Sequence, residues 1–112
     1  MPDEHGQDRI AIIGMGIRLP GAGRDLDRFW HNIEQGVEAM TFFKREELNG
    51  WGVSDTTIAR PNFVPARSVL ADHDQFDGRL FGYSPHDSVL MDPQQRILLE
   101  CAWSALEHAG HR

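Results

Sequence analysis

The first hydrophobic pattern in the chain predicts a strand. Residues Ile10–Ile13 form a short apolar run that contains three isoleucines and ends at Gly14. Strands that are covered on both faces have this composition, so the run predicts a buried, parallel strand. Pro20, Gly21 and Gly23 then mark a loop.

Two helices are predicted after this loop. In LDRFWHNIEQG, Asp25 is placed to cap the N-terminus and Gly36 to end the helix. A shorter helix is predicted in KREELNG, which ends at Gly50. The first of these helices is amphipathic, because four apolar side chains fall on one face: Leu26, Phe29, Trp30 and Ile33.

The middle of the chain has weaker patterns. Residues Trp51 to Asn62 predict a loop or a broken helix. NFVPARSVL has the composition of a strand, but Pro65 interrupts it, which predicts an edge strand or an extended loop. DQFDGRLFGYSP is rich in turn residues, and its apolar members are predicted core anchors: Phe76, Leu80 and Phe81.

The strongest pattern is MDPQQRILLECAWSALEHAG, which predicts a long helix. Asp92 is the predicted N-cap, Pro93 occupies the first helical position, and Gln95 completes a capping box. Gly110 suits the position just after the helix. Apolar residues cover much of the circumference, which predicts a largely buried helix: Ile97, Leu98, Leu99, Cys101, Ala102, Trp103, Ala105, Leu106 and Ala109.

These elements contain more apolar helix than sheet. The one convincing central strand has no strand to pair with, and two apolar helices have little sheet to cover. The sequence therefore predicts a portion of a larger domain, which on its own exposes a large apolar surface.

Composition narrows the class of protein. The chain has 112 residues, enough for one domain at most, and its 40% hydrophobic and 25% charged residues are typical of soluble globular proteins. It has no membrane-length apolar run, no secretory signal pattern, and a single cysteine, which excludes an internal disulfide. We therefore expect a cytoplasmic protein with a loose tail over residues 1–8 and one region over residues 9–112.

Charge argues against a nucleic-acid partner. The net charge is −6, and no basic cluster is longer than Lys44–Arg45. Proteins that bind nucleic acids normally gather lysine and arginine on one face to neutralise phosphates. We expect neither a nucleic acid nor a membrane as partner.

The glycines after the first apolar run suggest a phosphate-binding loop, but their spacing fails. A dinucleotide fingerprint needs a third glycine three residues after the second. Counted from Gly14 and Gly16, that position is Leu19, and Pro20 follows it. Tight turning and close packing are the favoured explanation of these glycines, and a small nucleotide-binding domain is the alternative.

The reactive side chains form no catalytic constellation. In GYSPH, Pro85 follows Ser84 directly and breaks the pattern of a serine nucleophile turn, so Ser84 or Asp87 is a predicted helix cap. Cys101 lies in the middle of a predicted helix without a cation nearby in sequence, as expected of a small buried hydrophobe.

The histidines and acidic residues do not suggest a metal or acid–base site. His108 and His111 have the spacing of helical ligands, but Gly110 ends the helix between them and a third ligand is lacking. We therefore assign no catalytic, cofactor-binding or metal-binding residue. The other candidates are interpreted as solvated surface groups: His5, His31, His73, His86, Asp72, Asp74, Glu46 and Glu47.

Four stretches taken together resemble the start of a ketosynthase domain: IAIIGMGIRLPGA, FW, FDGRLFGYSP and, above all, MDPQQRILLECAWSALEHAG. The family is the β-ketoacyl synthases of modular polyketide synthases, close to animal-type fatty acid synthases. The stretches keep the family's order from Arg9 to the last residue. Small departures are Gly78–Arg79, where the family often has two alanines, and Ser104, where an acidic residue is common.

The resemblance implies an α/β, thiolase-like layered fold with two mixed five-stranded sheets between helices, in a homodimer. This chain would hold the N-terminal portion of that fold. The implied activity is that of an acyltransferase in polyketide or fatty acid biosynthesis. A cysteine takes an acyl group from the phosphopantetheine arm of an acyl carrier protein. Two histidines then help a malonyl-type extender to lose carbon dioxide and attack that thioester.

The resemblance also implies that this chain carries none of the three catalytic residues. In the family they follow the helix that begins at Asp92, and Cys101 does not match the nucleophile because it falls within that helix. The chain alone is therefore expected to be inactive, to bind no cofactor directly, and to need the remainder of the domain. The alternative is a non-catalytic, truncated interaction module that complements a partner chain.

Overall fold

The computed structural model describes residues 10–111, which divide into two compact units. One unit is Arg18–Phe76, and the other joins residues 10–17 to residues 77–111. The tail predicted over residues 1–8 lies outside the described residues.

The Arg18–Phe76 unit contains short helices and a small sheet. The helices are α1 (Leu26–Glu34), α2 (Arg45–Gly50) and α3 (Asp55–Ile58). The sheet has two antiparallel strands, β1 (Met40–Phe42) and β2 (Ala66–Ser68). In their register Thr41 lies opposite Arg67.

The helix boundaries predicted for this unit are confirmed. The Asp25 carboxylate accepts a hydrogen bond from the Arg28 N–H at 2.9 Å and so caps α1. Gly36 follows that helix with a φ of 61°, a backbone conformation that favours glycine. Helix α2 ends at Gly50, and α3 lies between Trp51 and Asn62, where the sequence predicts a loop or a broken helix.

The hydrophobic pattern does not indicate β1, and it indicates β2 only as an edge strand or loop. Strand β2 begins directly after Pro65, which has no N–H to donate to a ladder. The Pro65 carbonyl accepts a hydrogen bond from the Phe43 N–H at 2.8 Å, which extends the pairing beyond both strands. Because β1 is three residues long, its conformation depends on pairing with β2 rather than on its own composition.

The other unit carries α4 (Pro85–Leu90) and the long helix α5 (Pro93–His108). Asp92 is the N-cap of α5, as predicted, with Pro93 in the first turn. Its carboxylate accepts a hydrogen bond from the Gln94 N–H at 2.7 Å. A capping box requires the N–H of Gln95, one residue further on, as the donor to Asp92. The predicted capping box is therefore wrong.

The C-terminus of α5 agrees with the prediction. Gly110 has a φ of 81°, and its N–H donates to the Glu107 carbonyl at 2.9 Å. The His111 N–H donates to the Leu106 carbonyl, also at 2.9 Å, which completes a Schellman motif. No helix among residues 10–111 is both long and apolar enough to span a membrane.

Residues Ile10–Ile13 do not form a strand in this structure, so the prediction of a buried strand is wrong for the described chain. Ile10 is 94% exposed and Ile12 is 83% exposed. Strand structure depends on hydrogen bonds to a neighbouring strand. Within residues 10–111 the sheet consists of β1 and β2 alone, and this run pairs with neither.

The core predicted from the sequence is only partly formed within residues 10–111. Leu80 is exposed, so its prediction as a core anchor is wrong, whereas Phe76 and Phe81 are half-buried. Phe81 lies edge-on to Trp103 of α5, with ring centroids 6.0 Å apart. The buried hydrophobic residues of the described chain are Ala22 and Leu48.

The prediction that α5 is largely buried is also wrong for the described chain. The helix contains no buried residue, and Leu98 on its surface is 68% exposed. Leu106 and Trp103 are exposed as well. An apolar face is buried only when another element covers it. These side chains are therefore part of the apolar surface that the sequence predicts for an incomplete domain.

Candidate functional site

The two glycines of the predicted loop lie directly against the backbone of α5. A Cβ atom on Gly14 would meet the Ala105 carbonyl oxygen and lie 2.8 Å from the Cβ of Ala109. A Cβ atom on Gly16 would meet the Cys101 carbonyl oxygen and lie 3.1 Å from the Ala105 nitrogen. Side chains do not tolerate such separations, so glycine alone permits this approach of segment to helix.

The close packing predicted for these glycines is confirmed. A phosphate-binding loop presents its backbone N–H groups to the ligand. Here Gly14 and Gly16 face a helix instead, and the N–H between them, that of Met15, donates to Nδ1 of His108 at 3.0 Å. This bond gives His108 a structural role that its spacing from His111 did not suggest.

Cys101 lies in the same contact between residues 10–17 and α5. It is a half-buried free cysteine well inside the helix, and its carbonyl oxygen is the atom against which Gly16 packs. Thiols are activated at helix N-termini or beside cations. The position is therefore typical of a small side chain within a packing contact.

Ser84 is a helix cap, as predicted. Its hydroxyl oxygen accepts a hydrogen bond from the Asp87 N–H at 3.1 Å and donates to the Asp87 carboxylate at 2.6 Å. These two bonds tie the side chain to the first turn of α4.

We expect Ser84→Ala to lower the free energy of unfolding by about 1 kcal/mol, because one N–H at the start of α4 loses its acceptor. Ser84→Thr keeps a hydroxyl at the cap and should retain most of that stability. Urea unfolding of the three proteins, followed by circular dichroism, measures the difference. If the threonine variant were as unstable as the alanine variant, the capping role would be refuted.

One of the acidic candidates, Glu47, makes a local contact, and so does Asp55, which was not a candidate. The Glu47 carboxylate accepts the Lys44 N–H at 2.7 Å and caps α2, and Asp55 pairs with Arg45 at 3.0 Å. Nδ1 of His73 lies 3.1 Å from the Leu70 carbonyl oxygen. Within residues 10–111, no group of three or more histidine, cysteine, aspartate or glutamate side chains is arranged to hold a metal ion.

The sequence did not reveal one cluster in the Arg18–Phe76 unit. The guanidinium of Arg67 lies over the rings of both Phe43 and Trp51. No spacing rule connects these three residues, because a strand pair and a helix end bring them together.

Residues 7–112 match the family described as "Beta-ketoacyl synthase, N-terminal domain", and the chain therefore belongs to the β-ketoacyl synthases, a family of condensing acyltransferases. The chain is 42% identical over 104 residues to a phenolphthiocerol/phthiocerol polyketide synthase of Mycobacterium tuberculosis. It is 43% identical over 104 residues to the polyketide synthase PksN of Bacillus subtilis. Each comparison covers 93% of this chain, but 7% of the first relative and 2% of the second.

Solved ketosynthases of the bacillaene polyketide synthase of Bacillus amyloliquefaciens have the same fold. Ketosynthase twelve superimposes with a TM-score of 0.76 at 40% identity, and the ketosynthase of module 1 with a TM-score of 0.70 at 45% identity. Each comparison covers 87% of this chain. The matched part is 17% of the chain of ketosynthase twelve and 16% of the chain of the module 1 ketosynthase. The predictions of an α/β, thiolase-like fold and of the N-terminal portion of a ketosynthase domain are confirmed.

Proposed function

We propose that this chain is the N-terminal scaffold of a ketosynthase domain whose complete form catalyses a decarboxylative Claisen condensation in polyketide or fatty acid biosynthesis. The observation that carries the proposal is the match to ketosynthase twelve, with a TM-score of 0.76 at 40% identity over 87% of this chain.

In the proposed reaction, a cysteine thiolate takes the acyl group from a carrier-protein thioester and releases the carrier thiol. A malonyl-type thioester then loses carbon dioxide. The resulting carbanion attacks the acyl–cysteine thioester, forming a carbon–carbon bond and freeing the cysteine.

The proposal assigns a structural role to residues 10–111 and places the nucleophilic cysteine and the two histidines in the rest of the domain. Three contacts support the structural role. The Cys101 backbone packs against Gly16, His108 accepts the Met15 N–H, and Ser84 caps α4. Covalent catalysis needs a nucleophile beside a positioned base. The proposal therefore gives these residues packing and capping roles rather than a role in the reaction.

The partners proposed for the complete domain are an acyl carrier protein, which delivers the acyl group on its phosphopantetheine arm, and a second copy in a homodimer. The described residues do not fit the arm at the glycine segment, because α5 fills the space in front of Gly14 and Gly16. We propose that the arm binds in the rest of the domain. The large size of the related polyketide synthases supports the presence of partner domains.

A chimeric ketosynthase tests the scaffold role. Residues 10–111 of this chain replace the matching segment of ketosynthase twelve, and the product is assayed with an acyl thioester and a malonyl thioester on a carrier protein. We expect a β-ketoacyl product, because the inserted segment supplies the same fold. The unmodified ketosynthase is the control. A chimera that retains its fold and is acylated on its nucleophile, but forms no product, would contradict the proposal.

The chain alone is expected to form no condensation product and no acyl-enzyme. Incubation with an acyl thioester, followed by mass spectrometry, measures acylation directly. An acyl group attached to Cys101, together with carbon dioxide release from a malonyl thioester, would overturn the assignment of the nucleophile to the rest of the domain.

The second candidate function is a non-catalytic interaction module that complements a partner chain. It is favoured by the exposed apolar side chains, of which Ile10 and Leu98 are examples. Co-expression with the remainder of a ketosynthase domain distinguishes the two. A complex that assembles without condensing activity favours the module, whereas an active complex favours the scaffold.

A further inference from the structure

Two aromatic rings position the Arg67 side chain. Its guanidinium carbon lies 5.6 Å from the centroid of the Phe43 ring and 5.6 Å from that of the Trp51 ring. The two rings also contact each other edge to face, with centroids 4.9 Å apart and planes at 74°. Cation–π attraction to both rings restricts the rotamers of the arginine. We call these three side chains the arginine clamp.

The clamp leaves the hydrogen-bonding groups of Arg67 available. A guanidinium carries five N–H donors in its plane, and contacts with aromatic rings do not satisfy them. Within residues 10–111, no oxygen atom accepts a hydrogen bond from this guanidinium, whereas that of Arg45 donates to Asp55 at 3.0 Å. Arg67 is therefore a positioned cation whose donors match the two oxygens of a carboxylate.

An apolar cleft adjoins the clamp. Its volume is about 360 Å³, and Leu48, one of the buried residues, contributes to its lining. Trp51 and Val64 lie on the same cleft and are 58% and 68% exposed. A ligand that suits this surface combines an apolar side chain with a negative charge.

Strand β2 offers backbone groups beside the clamp. Because the Phe43 N–H donates to the Pro65 carbonyl, the antiparallel alternation turns the N–H and C=O of Ala66 and Ser68 away from β1. Within residues 10–111, no third strand pairs with that edge of β2. An extended peptide can pair there by adding a strand to the sheet.

We propose that the arginine clamp and its cleft bind an extended acidic peptide segment. One aspartate or glutamate of the peptide lies opposite Arg67 on the same face of the sheet, and an apolar side chain two residues along enters the cleft. The positive charge of Arg67 favours a carboxylate as its partner. The unpaired backbone groups of β2 favour a peptide over a small anion, because a peptide can form hydrogen bonds with them. The proposal does not rest on the condensing activity.

Binding of two matched peptides to the 112-residue chain tests the proposal. Fluorescein-labelled KVTDTVK places valine, aspartate and valine on one face of a strand, and KVTNTVK replaces the aspartate by asparagine. Fluorescence anisotropy should show about tenfold tighter binding of the aspartate peptide, because the asparagine peptide lacks the charge-assisted hydrogen bonds to Arg67. Equal affinities, or no binding of either peptide, would overturn the proposal.

Two variants of the chain localise the effect. Arg67→Gln should remove the preference for the aspartate peptide, whereas Arg60→Gln, which removes the same charge from an exposed arginine outside the cleft, should preserve it. If both variants lost the preference equally, net charge rather than the clamp would explain binding. Displacement by inorganic phosphate, but not by chloride of equal ionic strength, would identify a small-anion site and overturn the assignment to a peptide.

Discussion

Replacing Gly16 by alanine is expected to detach residues 10–17 from α5. The added Cβ would meet the Cys101 carbonyl oxygen and lie 3.1 Å from the Ala105 nitrogen, and both atoms belong to a helix backbone that cannot move aside without losing its own hydrogen bonds. Overpacking of this kind costs about 2 kcal/mol. The hydrogen bond from the Met15 N–H to His108 depends on the same approach and should open with it.

Amide hydrogen exchange measures this detachment at the Met15 N–H. A loss of about 2 kcal/mol corresponds to exchange about thirtyfold faster in Gly16→Ala than in the unaltered chain. Gly50→Ala is the matched control, since apart from its chain neighbours and its own helix backbone no atom lies within 4 Å of the position that its Cβ would take. It should leave Met15 exchange unchanged. Similar exchange in all three proteins would refute the packing role of Gly16.

Gly78 and Ser88 are expected to be energetically coupled. Gly78 is buried, and a Cβ on it would meet the Ser88 hydroxyl oxygen and lie 3.2 Å from the Ser88 Cβ. That hydroxyl donates to the Ser84 carbonyl at 2.8 Å, and this hydrogen bond holds it where a Cβ atom on residue 78 would lie. By the resemblance to the ketosynthases, alanine is the common residue at this position, and in this chain the Ser88 hydroxyl lies where the methyl group of an alanine would be.

A double-mutant cycle measures the coupling. Gly78→Ala alone should cost about 2 kcal/mol through overpacking, and Ser88→Ala alone about 1 kcal/mol through the lost hydrogen bond. The double variant should cost at least about 1 kcal/mol less than the sum, because removal of the hydroxyl makes room for the methyl group. Urea unfolding provides the four free energies.

Gly50→Ala combined with Ser88→Ala is the control for this cycle, since the Gly50 position has open space and its effect should add to that of Ser88. Strict additivity of the Gly78 and Ser88 effects would show that the two residues do not compete for space.

The Gly16 prediction concerns how residues 10–17 are held against α5, and neither prediction concerns a reacting group. In the proposed complete domain, Ile10–Ile13 carries the composition of a central strand, and the glycines that follow it set its distance from α5. Because the elements are close-packed, a displacement of less than about 1 Å at such a contact also shifts the elements packed against it. We therefore propose that these glycines contribute to the stability of the complete domain.

Much of the local structure was readable from the sequence. Asp25, Ser84 and Asp92 cap their helices, and Gly110 ends α5 with a positive φ. Each signal works through hydrogen bonds or backbone preferences within a few residues, so no distant partner is needed to produce it. The match to the ketosynthases was readable for a similar reason, since the DPQQR helix occurs as one continuous block.

Tertiary structure decided the features that depend on residues far apart in the chain. Ile10–Ile13 has the composition of a buried strand, yet it stays unpaired and exposed because the described chain supplies no neighbouring strand. Strand β1 exists through its pairing with β2, and the arginine clamp exists because that pairing brings Arg67 to Phe43. Local signals act at short range, whereas strand pairing, burial and ring contacts require a partner that only the folded chain brings into place.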